Sequence, residues 1–265
     1  MRTAPGGKGR VKGLKGRVAL VTGGTGLLGS AIAMRLAAEQ AIVAVSSRNL
    51  SKARAWAEEK EKTDAKYIPV QLNLADEKSI RSCLDYIEEQ ASIPTIIVAN
   101  ASLREGVGVP FEKITHSSFT NLFEVDIAGH VLLLRHSVER LAGQPASIVF
   151  CSSIYGQVGV DHRIYPEGMA PTPVQYAAVK AAAEGATRWL AAAWGERGVR
   201  VNALVAGGVS AAQSNEFVKR YSERTMLRRM ALADEVASAA AFLASDEASY
   251  VTGHCLVVDG GLTAW

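Results

Sequence analysis

Tyr176-Ala-Ala-Val-Lys180 sets a phenol and an ammonium four residues apart in an alanine-rich stretch. On a helix that spacing puts both side chains on one face, one turn apart. A phenol is a poor acid–base group at neutral pH, and a neighbouring ammonium favours its phenolate form. So tuned, Tyr176 can exchange a proton with a carbonyl or alcohol oxygen. Upstream, Ile148-Val-Phe-Cys-Ser-Ser-Ile-Tyr-Gly156 is an apolar run that ends in two serines. A serine at a strand's carboxyl end sits where ligands bind in open α/β sheets, and Ser153 can hydrogen-bond the reacting oxygen there. Ser152 reads as a packing or backbone-bonded serine, and Cys151 as a small buried hydrophobe.

A second constellation is Thr22-Gly-Gly-Thr-Gly-Leu-Leu-Gly29, which follows the first apolar run and opens a helical pattern. Glycines there permit positive φ and a close approach of pyrophosphate to the backbone, while the helix start offers free N–H groups. Gly23, Thr25, Gly26, Leu27 and Leu28 are the expected cradle; the competing reading is a tight structural turn without ligand. The second run ends in Ser46-Ser47-Arg48-Asn49. An acid at this place would hold the 2′-hydroxyl of NAD, and none is present. Ser47, Arg48 and Asn49 instead offer groups suited to a 2′-phosphate, so NADP(H) is expected in preference to NAD(H). Against this stands Arg48 as a solvated loop arginine.

These residues need a scaffold, and the rest of the chain supplies one. Short, nearly continuous apolar runs occur at 18–21, 42–45, 68–70, 96–98, 147–150, 199–204 and 256–258. They read as strands buried on both faces. Helical patterns lie between them at about 27–39, 51–62, 76–90, 117–142, 175–196 and 233–244. End-to-end alternation predicts an α/β fold: a single Rossmann-type doubly wound domain over 15–265, with a seven-stranded parallel sheet and helices on both faces. Residues 1–14 read as a flexible basic tail.

The chain has 265 residues, 48% hydrophobic and 21% charged, which excludes general disorder. No apolar run is long enough to cross a bilayer, and the basic start lacks the apolar stretch of a secretory signal. Three cysteines with no CxxC, and five histidines with no HExxH, suit a reducing cytoplasm and no metal site. The net charge of +3 is uneven: residues 1–17 hold six basic residues and no acid, leaving 23 basic against 26 acidic in the remainder. A nucleic-acid partner is therefore not expected from the body of the protein.

Together these features resemble the short-chain dehydrogenase/reductase family. The likeness covers about 14–265 and includes Leu14-Lys-Gly-Arg-Val-Ala-Leu-Val-Thr-Gly23, Ser153, Tyr176 to Lys180, Gly198-Val-Arg-Val-Asn202 and the ending Val258-Asp-Gly-Gly261. The resemblance implies interconversion of an alcohol and a carbonyl with a nicotinamide cofactor. Ser153 positions substrate, Tyr176 is the acid–base, and Lys180 holds the nicotinamide ribose. It places Asn73, Leu74, Asn100, Ala101, Ser102, Gly207 and Val209 along the cofactor. It implies a homotetramer or homodimer through the helices near 117–142 and 175–196.

Departures from the family pattern stand out. Glycine spacing follows the extended branch, whereas length and C-terminus follow the classical one. Ser102 replaces a glycine beside the cofactor path. Asp126 replaces the asparagine of the proton relay, where a backbone carbonyl can still hold water while the added charge alters lysine titration. Ala206 and Ala211 replace a proline and a threonine. A non-catalytic, cofactor-binding scaffold on the same fold is the alternative that these changes raise.

On the substrate side, Ser153 and Tyr176 are separated by a longer interval than the family usually has. The extra stretch, 158–173, holds three prolines, Tyr165, His162 and Arg163. Loops of this kind carry specificity on a fixed scaffold. Tyr155, His162 and Arg163 are candidate substrate groups; alternatively Arg163 pairs with Asp161 or Glu167 and orders the loop. The wording around Tyr155-Gly and 161–176 resembles a subgroup associated with bacterial surface-sugar and flagellin-modification pathways, which suggests a polar or anionic sugar-like substrate. Segment 212–230, the family's lid, is basic and would favour an anion, unless its charges form a solvated helix face.

Overall fold

The computed structural model describes residues 11–60, 65–103 and 108–265. Seven parallel strands form one sheet in the order β3-β2-β1-β4-β5-β6-β7. They are β1 (Val18–Val21), β2 (Ile42–Ser47), β3 (Tyr67–Gln71), β4 (Ile96–Ala99), β5 (Ala146–Ser153), β6 (Val199–Ala206) and β7 (Cys255–Val258). Each contains one of the apolar runs, and β1, β4 and β5 are buried along their whole length. The fold expected from the sequence is the one observed.

Helices cover both faces. α1 (Leu27–Ala38), α2 (Leu50–Lys60) and α8 (Ala233–Ala244) close one core with Leu36, Trp56, Val98 and Leu243. α3 (Glu77–Gln90), α5 (His130–Arg140) and α6 (Val174–Trp194) close the other with Leu84, Leu133, Phe150 and Leu190. Because β1 pairs with both β2 and β4, the chain reverses direction across the sheet there. That reversal opens a crevice at the strands' carboxyl ends, where ligands bind in such sheets.

Two expectations need correction. The helix expected over 117–142 is interrupted: α4 (His116–Phe123) passes into a π-helical turn, Glu124–Gly129, before α5 begins. A π turn carries an extra residue per hydrogen-bonded loop and commonly lies at functional positions. Residues 11–14, expected as part of the basic tail, instead pack on the sheet domain. Residues 1–10 lie outside the described residues, but the Val11 N–H donates to Glu39 Oε2 at 2.9 Å, Lys12 O accepts from Asp246 N at 3.1 Å and Leu14 is wholly buried. Val11 and Leu14 are apolar groups that the core takes in. A further helix, α7 (Asn215–Arg224), occupies the expected lid segment, started by Ser214 accepting from Phe217 N. Among the described residues no helix is long and apolar enough to cross a membrane.

Candidate active site

The glycine turn lies at the crevice. Gly23 has φ +60°, and a Cβ there would press on Ala101, whose loop leaves β4. Gly29 is packed so tightly that a Cβ would collide with the Gly23 carbonyl oxygen and lie 2.6 Å from Asn100 Nδ2. A Cβ on Gly26, by contrast, meets only the Gly23 oxygen at 3.4 Å. The chain is thus close-packed behind the turn and open in front of it. The α1 N-terminus has no side-chain cap and no acid in its first turn. Open space before free helix N–H groups is what a pyrophosphate requires, so these residues fit a dinucleotide. Leu27 is exposed at the entrance, Leu28 is half-buried, and Thr25 stands in the turn.

Asn100 braces this turn from β4. Its Nδ2 donates to Thr22 O at 2.9 Å and Gly23 O at 3.3 Å, and the backbone N–H groups of Asn100 and Ala101 both donate to Thr22 Oγ1 at 2.9 Å. Thr22 Oγ1 also meets His130 Nε2 at 2.9 Å. His130 is wholly enclosed and held neutral: burial lowers its pKa, against the Asp126 carbonyl bonded to Nδ1 at 3.0 Å. Sequence reasoning missed both Thr22 and His130. The available signal was the spacing of Asp126 and His130, four residues apart on one helical segment.

The ribose end is less enclosed. Arg48 and Asn49 are exposed just beyond β2, and no acid lies among Ser46–Asn49. Asn49 Oδ1 accepts from Ser51 N at 2.9 Å and so starts α2, while Ser47 Oγ accepts from Asn49 N at 3.2 Å. Asn73 is exposed and Leu74 buried after β3. Gly207 and Val209 follow β6, where Val209 bridges to Ala231.

Ser153, Tyr176, Lys180 and Asp126 converge at the end of β5. Gly156 makes this possible: a Cβ there would lie 2.8 Å from the Lys180 carbonyl carbon, so only glycine lets the turn after Ser153 sit against α6. Ser153 is buried, and its Oγ accepts from Tyr155 N at 3.3 Å. Lys180 Nζ stands 5.3 Å from the Tyr176 ring centroid. Nζ also donates to Cys151 O at 3.2 Å and to Asp126 Oδ2 at 3.4 Å. Burial opposes the ammonium, but the Tyr176 and Asp126 charges outweigh it, and the Lys180 pKa is raised.

Asp126 is itself fixed. Ser102 Oγ donates to its Oδ2 at 2.5 Å and Leu103 N to its Oδ1 at 3.0 Å. Two departures from the family pattern, Ser102 and Asp126, are therefore one hydrogen-bonded unit. Behind the lysine, Ser152 Oγ bonds Lys180 O and Glu184 Oε1, both at 3.0 Å, a link through Glu184 that the sequence did not suggest. Cys151 is buried, its thiol pushed up to about 12. Among the described residues, the wholly buried Gln175 amide has no hydrogen-bond partner.

The loop expected over the substrate mouth folds onto α7. Ile164 is buried with Phe217, Tyr221 and Met230. Tyr155 Oη lies 3.2 Å from Tyr165 Oη, which lies 2.7 Å from Thr172 Oγ1. His162 and Arg163 are exposed. Arg163 forms a two-pronged pair with Asp161 at 2.8 and 3.0 Å, the loop-ordering alternative for this residue. Three of the lid's basic residues are paired with acids, one inside the segment and two outside it: Arg220 with Glu216, Arg224 with Asp161 and Arg229 with Glu235.

The family model described as enoyl-(acyl carrier protein) reductase matches residues 26–263. A curated relative, the 3-oxoacyl-(acyl-carrier-protein) reductase FabG of Aquifex aeolicus, is 32% identical over 94% of this chain and 98% of its own. The chain belongs to the short-chain dehydrogenase/reductase family. It is an NAD(P)-dependent oxidoreductase acting between alcohol and carbonyl. Two solved structures share the architecture. A short-chain dehydrogenase of Leptospira borgpetersenii with bound NAD+ has a TM-score of 0.84 and 28% identity, covering 99% of this chain and 98% of its own. A gluconate 5-dehydrogenase of Burkholderia cenocepacia, in complex with NADP and tartrate, has a TM-score of 0.83 and 27% identity, covering 97% and 98%.

Proposed function

We propose that this member is an NADP(H)-dependent oxidoreductase of a small, polar, sugar-like carbonyl or alcohol. The observation that carries the reading is the buried Lys180 ammonium beside the half-buried Tyr176 ring, at the end of the strand that carries the buried Ser153 and next to a glycine turn with an open front. When bound, the nicotinamide supplies or takes up the hydride. Ser153 Oγ orients the reacting oxygen and stabilises the charge that develops on it. Tyr176 Oη gives that oxygen a proton in reduction and takes one in oxidation. Lys180 keeps a cation beside the phenol and reaches toward the nicotinamide ribose. Asp126 positions Lys180. Gly23, Thr25, Gly26, Leu27 and Leu28 cradle the pyrophosphate, with Asn73, Leu74, Asn100, Ala101, Ser102, Gly207 and Val209 along the remaining length.

The preference for NADP(H) is supported by Ser47 and the exposed Arg48, with no acid beside them. The sugar-like substrate is supported by loop 158–173 and by its likeness to the surface-sugar subgroup; Tyr155 is its nearest candidate contact. Function as a homodimer or homotetramer in the cytoplasm belongs to the same reading.

Tyr176→Phe removes only the proton-transferring oxygen. It should lower kcat by about a thousandfold or more, with NADPH fluorescence titration still showing binding. Retained turnover would sink the assignment. The buried Asp126–Lys180 pair favours one other reading, a cofactor-binding scaffold, which predicts nucleotide binding with no turnover by the wild-type protein.

A further inference from the structure

The enclosed ring of His130 is bonded at both nitrogens. Nδ1 lies 3.0 Å from the Asp126 carbonyl oxygen, and Nε2 lies 2.9 Å from Thr22 Oγ1. The carbonyl can only accept, so Nδ1 carries the hydrogen. Burial keeps the ring neutral, which makes Nε2 an acceptor and the Thr22 hydroxyl its donor. Thr22 Oγ1 keeps its lone pairs for the N–H groups of Asn100 and Ala101, both at 2.9 Å. Each group has one role, and Phe150, edge-on to the imidazole at a centroid distance of 6.2 Å, packs against the ring.

The Asp126 carbonyl needs this partner. A regular α-helix would aim the His130 backbone N–H at that oxygen, but it donates to Ile127 O instead. The imidazole takes the place that its own backbone leaves. The Asp126 carboxylate is held from the loop after β4, by Ser102 and Leu103. Asn100 and Ala101 of that loop bond Thr22. Thr22, residues 100–103, Asp126 and His130 thus form a closed circuit of hydrogen bonds, which His130 shuts. One side of it braces the glycine turn through Asn100 and Gly23 O; the other carries the carboxylate on Lys180 Nζ.

We propose that His130 is a positioning residue that sets the glycine turn and the Asp126–Lys180 pair in register with each other. The inference rests on the oxidoreductase reading above and adds a residue to it. Two substitutions separate the two bonds. In His130→Asn the amide ends near the place of Nδ1; it can donate to the Asp126 carbonyl but stops short of Thr22, whose hydroxyl is left with Val98 O at 3.3 Å. In His130→Gln the amide ends near the place of Nε2; it can accept from Thr22 but leaves no donor at Nδ1.

The test is fluorescence titration of the purified, full-length protein with NADPH, from neutral pH upward through the lysine range. Nζ faces Tyr176, Asp126 and Cys151, with neutral His130 behind Asp126, so the alkaline loss of affinity reports how well the carboxylate is held. His130→Asn should weaken neutral-pH binding about tenfold, the size of one well-made hydrogen bond, and leave the alkaline midpoint in place. His130→Gln should keep neutral-pH affinity within about threefold and bring the alkaline loss roughly one pH unit earlier. Thr22→Val with His130→Asn should cost no more than Thr22→Val alone, since both remove the same bond. The same pattern of loss in both single variants, or a lower melting temperature with neither readout moved, would overturn the inference and leave the oxidoreductase reading intact. In the unaltered protein, a nitrogen-15 histidine spectrum should show His130 as the Nδ1–H tautomer; the other tautomer, or a protonated ring at neutral pH, would also overturn it. Unaltered protein that binds neither NADPH nor NADH would overturn both.

Discussion

The proposed cofactor side and the proposed substrate side of the crevice are built by different means. On the cofactor side, backbone contacts shape the site. Gly26 N donates to Gly23 O, Gly24 N to Ser46 O, and the positions behind the turn leave no room for a Cβ at Gly29. On the substrate side, side chains reach across long stretches of sequence. Arg220 bonds carbonyls more than fifty residues earlier, and Ile164 lies beneath Phe217 and Tyr221. A backbone-built site is intolerant of change at a few positions and indifferent to most others. A side-chain-built site can be retuned one residue at a time without disturbing the sheet. One chain therefore combines a backbone-built turn, the proposed cofactor cradle, with a side-chain-built loop, the proposed substrate mouth.

Gly29→Val should show the contrast at its largest. The added side chain collides with backbone, so NADPH binding measured by fluorescence should weaken about a hundredfold or more. Near-native affinity would mean that the cradle is softer than the packing implies.

Ile164→Ala should instead cost about 2 kcal/mol, the low end for such a truncation, because its small cluster at the molecule's edge can partly collapse. Calorimetry would report the loss, and NADPH affinity should hold. If affinity falls with stability, the two sides are not independent.

Arg48→Asp should reduce the ratio of NADP to NAD efficiency by about tenfold or more, since a charge-assisted contact gives way to repulsion. An unchanged ratio would assign Arg48 to solvent.

Asp126→Asn addresses the seam between the sides. Asp126 helps to raise the Lys180 pKa, so the ammonium's contribution is complete below its ordinary value and is lost only as pH rises through the raised one. Without the carboxylate, that alkaline loss should begin roughly one pH unit earlier, read from NADPH affinity and activity against pH. An identical alkaline limb would leave Asp126 with a packing role alone.

Much of this was legible in the sequence, for identifiable reasons. The strands are short apolar runs such as Ile96–Ala99, buried on both faces. Tyr176 and Lys180 sit on one helix, where spacing alone dictates their proximity. The contact of Thr22 with His130 was not legible, because they lie 108 residues apart and meet only where the start of α5 reaches the carboxyl end of β1. The pairing of the lid arginines was not legible for a related reason: their charge is plain in the sequence, and the acids that hold two of them, Asp161 and Glu235, are brought in by folding. Ile164 sits among polar and proline residues, and no local pattern marks it as buried.

The π turn at Glu124–Gly129 has a consequence for how this enzyme could be altered by insertion or deletion. It accommodates one residue more than an α-helical turn would. Deleting a single residue from it would restore a regular helix and swing Asp126 about a quarter of a revolution around the axis, since each residue advances the helix by about 100°. The carboxylate would leave Lys180 while α5 shifted by only about 1.5 Å along its length. A one-codon deletion here would therefore act as a rewiring of the Lys180 corner rather than as damage to the scaffold.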